Sequence, residues 1–186
     1  GYYEKSNIVV GLPVVWGFLG LGYFLLGDFS MALRCLEMGH KMHLDIGLPY
    51  FLCLYPLGLS QVHSYLGNLN EAKVHAEQGL NLAQTNHERY AEGLSWLQLG
   101  RIVGKMEGSQ LRKAEEHILK GMKILDELET KPAYAQSYLF LGELYADAGQ
   151  KEKAIENLKK AEAMYQEMGM DFWLAQTRKL LEMARI

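Results

Sequence analysis

A repeat with a period of about forty residues constrains this chain more than any other feature. Ala32, Ala72, Ala114 and Ala154 set its register, and a small residue precedes each by twelve to fourteen positions: Gly20, Ser60, Gly100 and Gly142. Each of these follows a leucine: Leu19, Leu59, Leu99 and Leu141. Trp16, Pro56, Trp96 and Tyr138 stand three positions before that leucine, and Tyr23, His63, Val103 and Tyr145 three after the small residue. Seven positions beyond each alanine comes a second small residue: Gly39, Gly79, Gly121 and Ala161. Gly27, Gly67, Gly108 and Gly149 divide each copy into halves. A sequence that returns to the same pattern four times folds as stacked units, each of which needs its neighbour to cover its apolar face.

Each half has the spacing of a helix, so the unit is a helix–turn–helix. First helices are expected near 8–26, 48–66, 88–106 and 132–147, second helices near 29–45, 69–85, 109–128 and 151–167, and a final helix near 171–184. Asp28, Asn68 and Ser109 stand where N-caps belong. Leucine is abundant and Val plus Ile sparse, which favours helix over strand. Nineteen glycines are then costly unless they have positions to serve, since each costs a helix interior about 1 kcal/mol relative to alanine. The repeat supplies those positions: close helix crossings, turns, and the joints between units at Gly47 and Gly169.

The first copy reads Trp16-x2-Leu19-Gly20-x2-Tyr23, then Gly27-Asp28, Ala32, Leu36 and Gly39. It resembles the tetratricopeptide (TPR) signature, over about residues 8–186. It departs in its period, 40 rather than 34, and in lacking the repeat-closing proline. Long TPR-like repeats of this kind are similar to those of bacterial ATPase-linked transcription activators and nucleotide cyclases. The closing stretch from Glu167 to Ala175 resembles the carboxyl-terminal end of the cyclase group. The resemblance implies an all-α, right-handed solenoid forming one domain over 1–186. Its repeats would span about 8–46, 47–86, 87–129 and 131–168, followed by a capping helix. It also implies a bacterial, non-catalytic protein-interaction module in a larger signalling or regulatory protein, with a small-molecule sensor domain and a dimerisation scaffold as alternatives.

Charge is unevenly distributed. The net charge is −3 and no basic block stands out, which argues against nucleic-acid binding. Ser6–Gly27 and Ile46–Asn70 contain no Asp, Glu, Lys or Arg. Either is long enough to cross a bilayer, but both fall on first helices, which pack on two sides and need few charges. A soluble repeat is therefore expected rather than a membrane hairpin. Cys35 and Cys53 fit no metal or redox spacing and read as buried thiols in a reducing cytoplasm. The chain starts at Gly1 with no signal-peptide pattern and reads as a piece of a longer polypeptide.

In TPR superhelices the concave wall, built from first helices, is the usual binding surface. By register, its columns here take Val14, Gly17, Leu21, Phe24 and Leu25, then Leu54, Leu57, Gln61, Ser64 and Tyr65. They continue with Leu94, Leu97, Arg101, Gly104 and Lys105, then Gln136, Leu139, Glu143, Ala146 and Asp147. The wall changes from apolar to charged along the chain. The expected contacts to a protein or peptide partner are Leu21, Phe24, Leu25, Leu57, Gln61, Tyr65, Arg101, Lys105, Glu143 and Asp147. The apolar end could instead dock on upstream repeats or on a second copy of the chain. Arg101 with Glu143, and Lys105 with Asp147, share columns of adjacent units and suit ion pairs as well as ligand reading. Gln61, Tyr65 and Arg101 are the polar groups that a small-molecule sensor would use.

Pro56 is expected inside a helix, where it removes a hydrogen bond and makes a kink. His40 and His43 read as a surface pair without a third metal ligand, and His63 as a packed histidine in the tyrosine column. Glu115 and Glu116 face different sides of a helix and make no acid–base couple. Gly17–Gly22 lies within a helix and is no phosphate loop. No catalytic residue, metal site or cofactor is expected.

Overall fold

The computed structural model describes residues 2–106 and 110–185, with side chains from residue 11 onward. Among the described residues it has nine helices and no strand. They are α1 (Tyr2–Leu25), α2 (Phe29–Ile46), α3 (Leu54–Tyr65), α4 (Leu69–Thr85), α5 (Arg89–Lys105), α6 (Leu111–Glu127), α7 (Lys131–Asp147), α8 (Lys151–Met168) and α9 (Asp171–Arg185). Gly108 and Ser109 lie outside the described residues. No described helix is long and apolar enough to cross a membrane.

The chain divides into two compact units, 1–91 and 92–186, with the division inside α5. Unit 1 packs α1 on α2, α2 on α3, and α3 on α4. Its core joins Phe24, Ala32, Leu36, Leu59 and Val62. Unit 2 packs α6 on α7, α7 on α8, and α8 on α9. Its larger core includes Leu97, Ile118, Leu125, Phe140, Leu144, Leu158, Tyr165 and Leu181.

First and second helices bury different amounts of themselves. α8 buries one stripe, Ala154, Leu158, Ala161 and Tyr165, at the three- and four-residue spacing of a helix with one solvated side. α7 buries every residue from Leu139 to Tyr145. A helix covered on two sides can dispense with charge, as α3 does; the uncharged part of α1 instead leaves Val15, Phe18 and Leu19 exposed. The glycine columns mark where the two helices of a unit cross. A Cβ added at Gly100 would lie 2.5 Å from Ile118 and 2.7 Å from the Ala114 carbonyl oxygen, and one at Gly142 would lie 2.5 Å from Leu158. The turn glycines Gly27, Gly67 and Gly149 all have φ between 70° and 80°, a region costly for residues with a Cβ.

Two N-cap expectations change. Asp28 does cap α2, accepting from the Met31 N–H at 3.0 Å. Asn68 occupies the cap position of α4 without a capping bond, and Gln110 holds that position for α6.

The second repeat departs most from expectation. Its first helix begins at Leu54 rather than near 48. Pro56 is therefore the third residue of α3, within the first turn, where backbone N–H groups have no helical partner to lose. The first helical bond is donated by Leu57 to the Cys53 carbonyl, one residue past the proline. The expected kink has no basis. The proline inside a helix is instead Pro13, in α1.

The chain before α3 forms a pinned loop. Glu88 accepts from the Phe51 N–H at 3.1 Å and from the Cys53 thiol at 2.9 Å. The Asn86 side chain donates to the Pro49 carbonyl at 2.8 Å. Phe51 is held at φ 63°, with Tyr50 and Phe51 exposed.

Candidate functional wall on the first helices

In unit 1 the wall positions separate into exposed and buried. Leu21 and Leu25 are 44% and 40% exposed. Phe24 is 2% exposed. Its ring meets Tyr65 edge-on at 5.0 Å and Phe29 at 5.9 Å. Phe24 is thus a core residue, and its expected role as an anchor is corrected. Leu57 is buried as well, against the crossing at Gly79, and cannot offer its side chain to a partner. Gln61 and Tyr65 remain partly exposed.

In unit 2 the four charged candidates meet in one network. The Arg101 guanidinium donates to both oxygens of Glu143, Nε to Oε2 at 2.7 Å and Nη2 to Oε1 at 3.3 Å. Lys105 Nζ lies 2.7 Å from Glu143 Oε1 and 3.6 Å from Asp147. Arg101 also lies over the Phe140 ring, 4.9 Å from its centroid. Burial pushes the Glu143 carboxyl upward, but Arg101 and then Lys105 outweigh it and hold the group below its ordinary value. The expected pairing across adjacent repeats is present, with Lys105 bridging both acids. Two-point recognition of a carboxylate, the property that made Arg101 a ligand candidate, is directed to Glu143.

The histidines are more connected than expected. His43 is buried, and its Nδ1 lies 3.1 Å from the Tyr55 hydroxyl. His40 stacks on the same ring at 5.6 Å. The reading of these two as a surface pair is corrected, because Tyr55 of α3 lies across their face of α2. His63 stacks on His75 at 5.4 Å. Burial first, then the neighbouring imidazoles His75 and His43, lower the pKa of His40. Among the described residues no group of three or more His, Cys, Asp or Glu could hold a metal ion.

Sequence reasoning also missed Tyr145, whose hydroxyl donates to Glu115 at 2.5 Å, and the clamp of Glu88. Neither pairing follows the repeat register, which is why no column pointed to it.

No curated protein matches this chain. Among solved structures, the crystal structure of BtubC (BKLC) from P. vanneervenii is similar with a TM-score of 0.67 at 17% sequence identity, covering 98% of this chain and 79% of that one. At that identity the likeness shows the helical-repeat fold alone. The family model described as the MalT-like TPR region matches residues 3–186, and the chain belongs to that family.

Proposed function

We propose that the chain is a non-catalytic protein-interaction module of a larger signalling or regulatory protein, and that an apolar partner segment lies along the first-helix wall of unit 1. One observation carries this reading. Leu21 and Leu25 stay exposed on a stretch of sequence without charge, and the same register columns of the next repeat hold the partly exposed Gln61 and Tyr65. An apolar patch kept open beside amphipathic side chains is the usual make-up of a contact surface. Leu21 and Leu25 serve as anchors, while the Tyr65 hydroxyl and Gln61 amide select among segments by hydrogen bonding. In unit 2, taken by itself, Lys105 and Asp147, the more exposed members of the network, are the side chains open to a charged partner group. Arg101 and Glu143 hold that network in place.

Selection from a displayed library of random peptides tests this. Peptides with apolar residues at helical spacing should be enriched, and Leu25→Asp should weaken their binding at least about tenfold, the loss of one buried anchor. Enriched peptides that bind Leu25→Asp as well as the parent would overturn the reading. So would the absence of any enrichment. A small-molecule sensor has less support, because Arg101 is engaged with Glu143.

A further inference from the structure

We propose that a second face of α1 seats one more second helix, from a preceding repeat in the same polypeptide, and that residues 2–7 are the end of that helix and its turn.

The first observation is a difference between equivalent columns. Leu19 is 43% exposed, whereas its counterparts Leu59 in α3 and Leu141 in α7 are 3% and 4% exposed. Val15 is exposed, while Tyr55 and Ser137 in its column are buried. A Cβ at Gly22 would touch nothing within 4 Å, although Val62 and Leu144 in that column are buried. What lies against α3 and α7 is known within each unit: α2 packs on α3 and α6 on α7. Both are second helices of the preceding repeat. Leu36 of α2 lies so close to α3 that a Cβ at Gly58 would meet it at 2.8 Å. The repeat therefore specifies the occupant of the α1 face: an amphipathic second helix with a stripe of small and aliphatic residues. A head-to-tail second copy would present α9, which is of the first-helix type.

The second observation is the register of residues 2–7. α7 and α9 each begin two residues after a left-handed residue, Glu129 and Gly169, and α5 begins two after His87. Gly47 completes this column in the first repeat. One period earlier the column falls on Asn7, and asparagine is among the residues that take the left-handed conformation most readily. Four positions before each of these residues stand His43, Ala83, Leu125 and Tyr165, all buried. The same step back from Asn7 reaches Tyr3. A first helix opening two residues after Asn7 would run over 9–25, matching the 17 residues of α5 and of α7. α1 spans 24 residues. Its excess is the part that carries second-helix register. This inference does not use the wall residues: its columns are Val15, Leu19 and Gly22, although Gly22 and Leu25, three residues apart, border the same side of α1.

The test is a fusion of residues 111–123, the body of α6, directly before Tyr2 in place of Gly1, which continues the register into residues 2–7. The control carries Glu at the graft's copies of Ala114 and Ile118, its buried stripe. The fusion should melt about 5 °C higher than the control, with slower amide exchange over 9–25 and less binding of a hydrophobic dye. Asn7→Gly should raise the melting temperature of the fusion, where the residue forms a turn. It should lower that of the unfused chain, where it lies within a helix. Indistinguishable fusion and control would overturn the proposal. So would an unfused chain that sediments as a dimer and becomes monomeric with Val15→Asp, because the face would then belong to a second copy.

Discussion

Two wall columns of the repeat register recur in both units, and each unit fills them with different chemistry. In unit 1 they hold Leu21 and Gln61, then Leu25 and Tyr65. In unit 2 they hold Arg101 and Glu143, then Lys105 and Asp147, joined by ion pairs. The columns behind the wall do not change in this way: Ala32, Ala72, Ala114 and Ala154 are all fully buried. A close helix crossing accepts only a small residue, whereas the wall accepts whatever its surroundings can solvate or pair. Side-chain identity is therefore tied to the fold behind the wall and available for recognition on it.

Glu143→Leu presses hardest on this contrast. It leaves Arg101 and Lys105 facing each other without their shared acid, and urea unfolding should show a loss of about 3 kcal/mol. Gln61→Leu, in the same column of unit 1, should change stability by less than about 0.5 kcal/mol. Equal effects would end the distinction between the two walls. Gly100→Ala comes next, at about 2 kcal/mol of destabilisation, because its Cβ would meet the Ala114 carbonyl and the Ile118 backbone nitrogen. Gly22→Ala on the open side of α1 should instead stabilise by about 0.5–1 kcal/mol.

Acid should act on the units in sequence. His40 and His75 are held below the ordinary histidine value of 6.5 by burial first. Neighbouring imidazoles add to this, and hydrogen bonding to Gln78 and the charges of Glu37 and Glu71 partly offset it at His75. The unfolded chain therefore takes up protons that the folded unit resists. Stability is full above about pH 6.5 and declines as pH falls below it. Glu143 has the same sense in a lower window: held below 4.5, it contributes fully above that value and its contribution is lost only as pH falls further. Unit 2 has one depressed histidine, His117, so its loss near pH 5.5 should be the smaller. Hydrogen exchange at about pH 7 and about pH 5.5, corrected for intrinsic rates, would show which unit opens first. An effect of the same size as at Gly22 is expected at Glu129, two residues past the end of α6 at φ 54°. Glu129→Gly should raise stability by about 0.5–1 kcal/mol, measurable as a shift in the urea midpoint.

The repeat made most of the fold legible, because close crossings and turns restrict residue type so strongly that Gly20, Gly100 and Gly142 can be aligned by eye. α4 runs over 69–85 and α8 over 151–168, within a residue of expectation. The wall was less legible. Phe24 and Leu25 are neighbours in one inner-face assignment, yet they point about 100° apart on the helix, and one is core while the other is exposed. Register assigns a residue to a side of the repeat but does not resolve wall from seam. His43 was misread because its partner Tyr55 stands in a column occupied elsewhere by Val15 and Ser137, neither of which has a ring to meet it. Pro56 was misread because the loop before it depends on Glu88, 32 positions later in the sequence.

That loop also decides how the thiols behave toward reagents. Both cysteines lie in unit 1 and both are buried. Burial raises the pKa of each, and at Cys53 the hydrogen bond to Glu88 raises it further. Thiolate, the form that alkylating agents attack, is thus suppressed at both positions until the surrounding structure opens. The rate at which a thiol reagent modifies this protein is therefore a clock for the opening of its amino-terminal half, with no background from the other half.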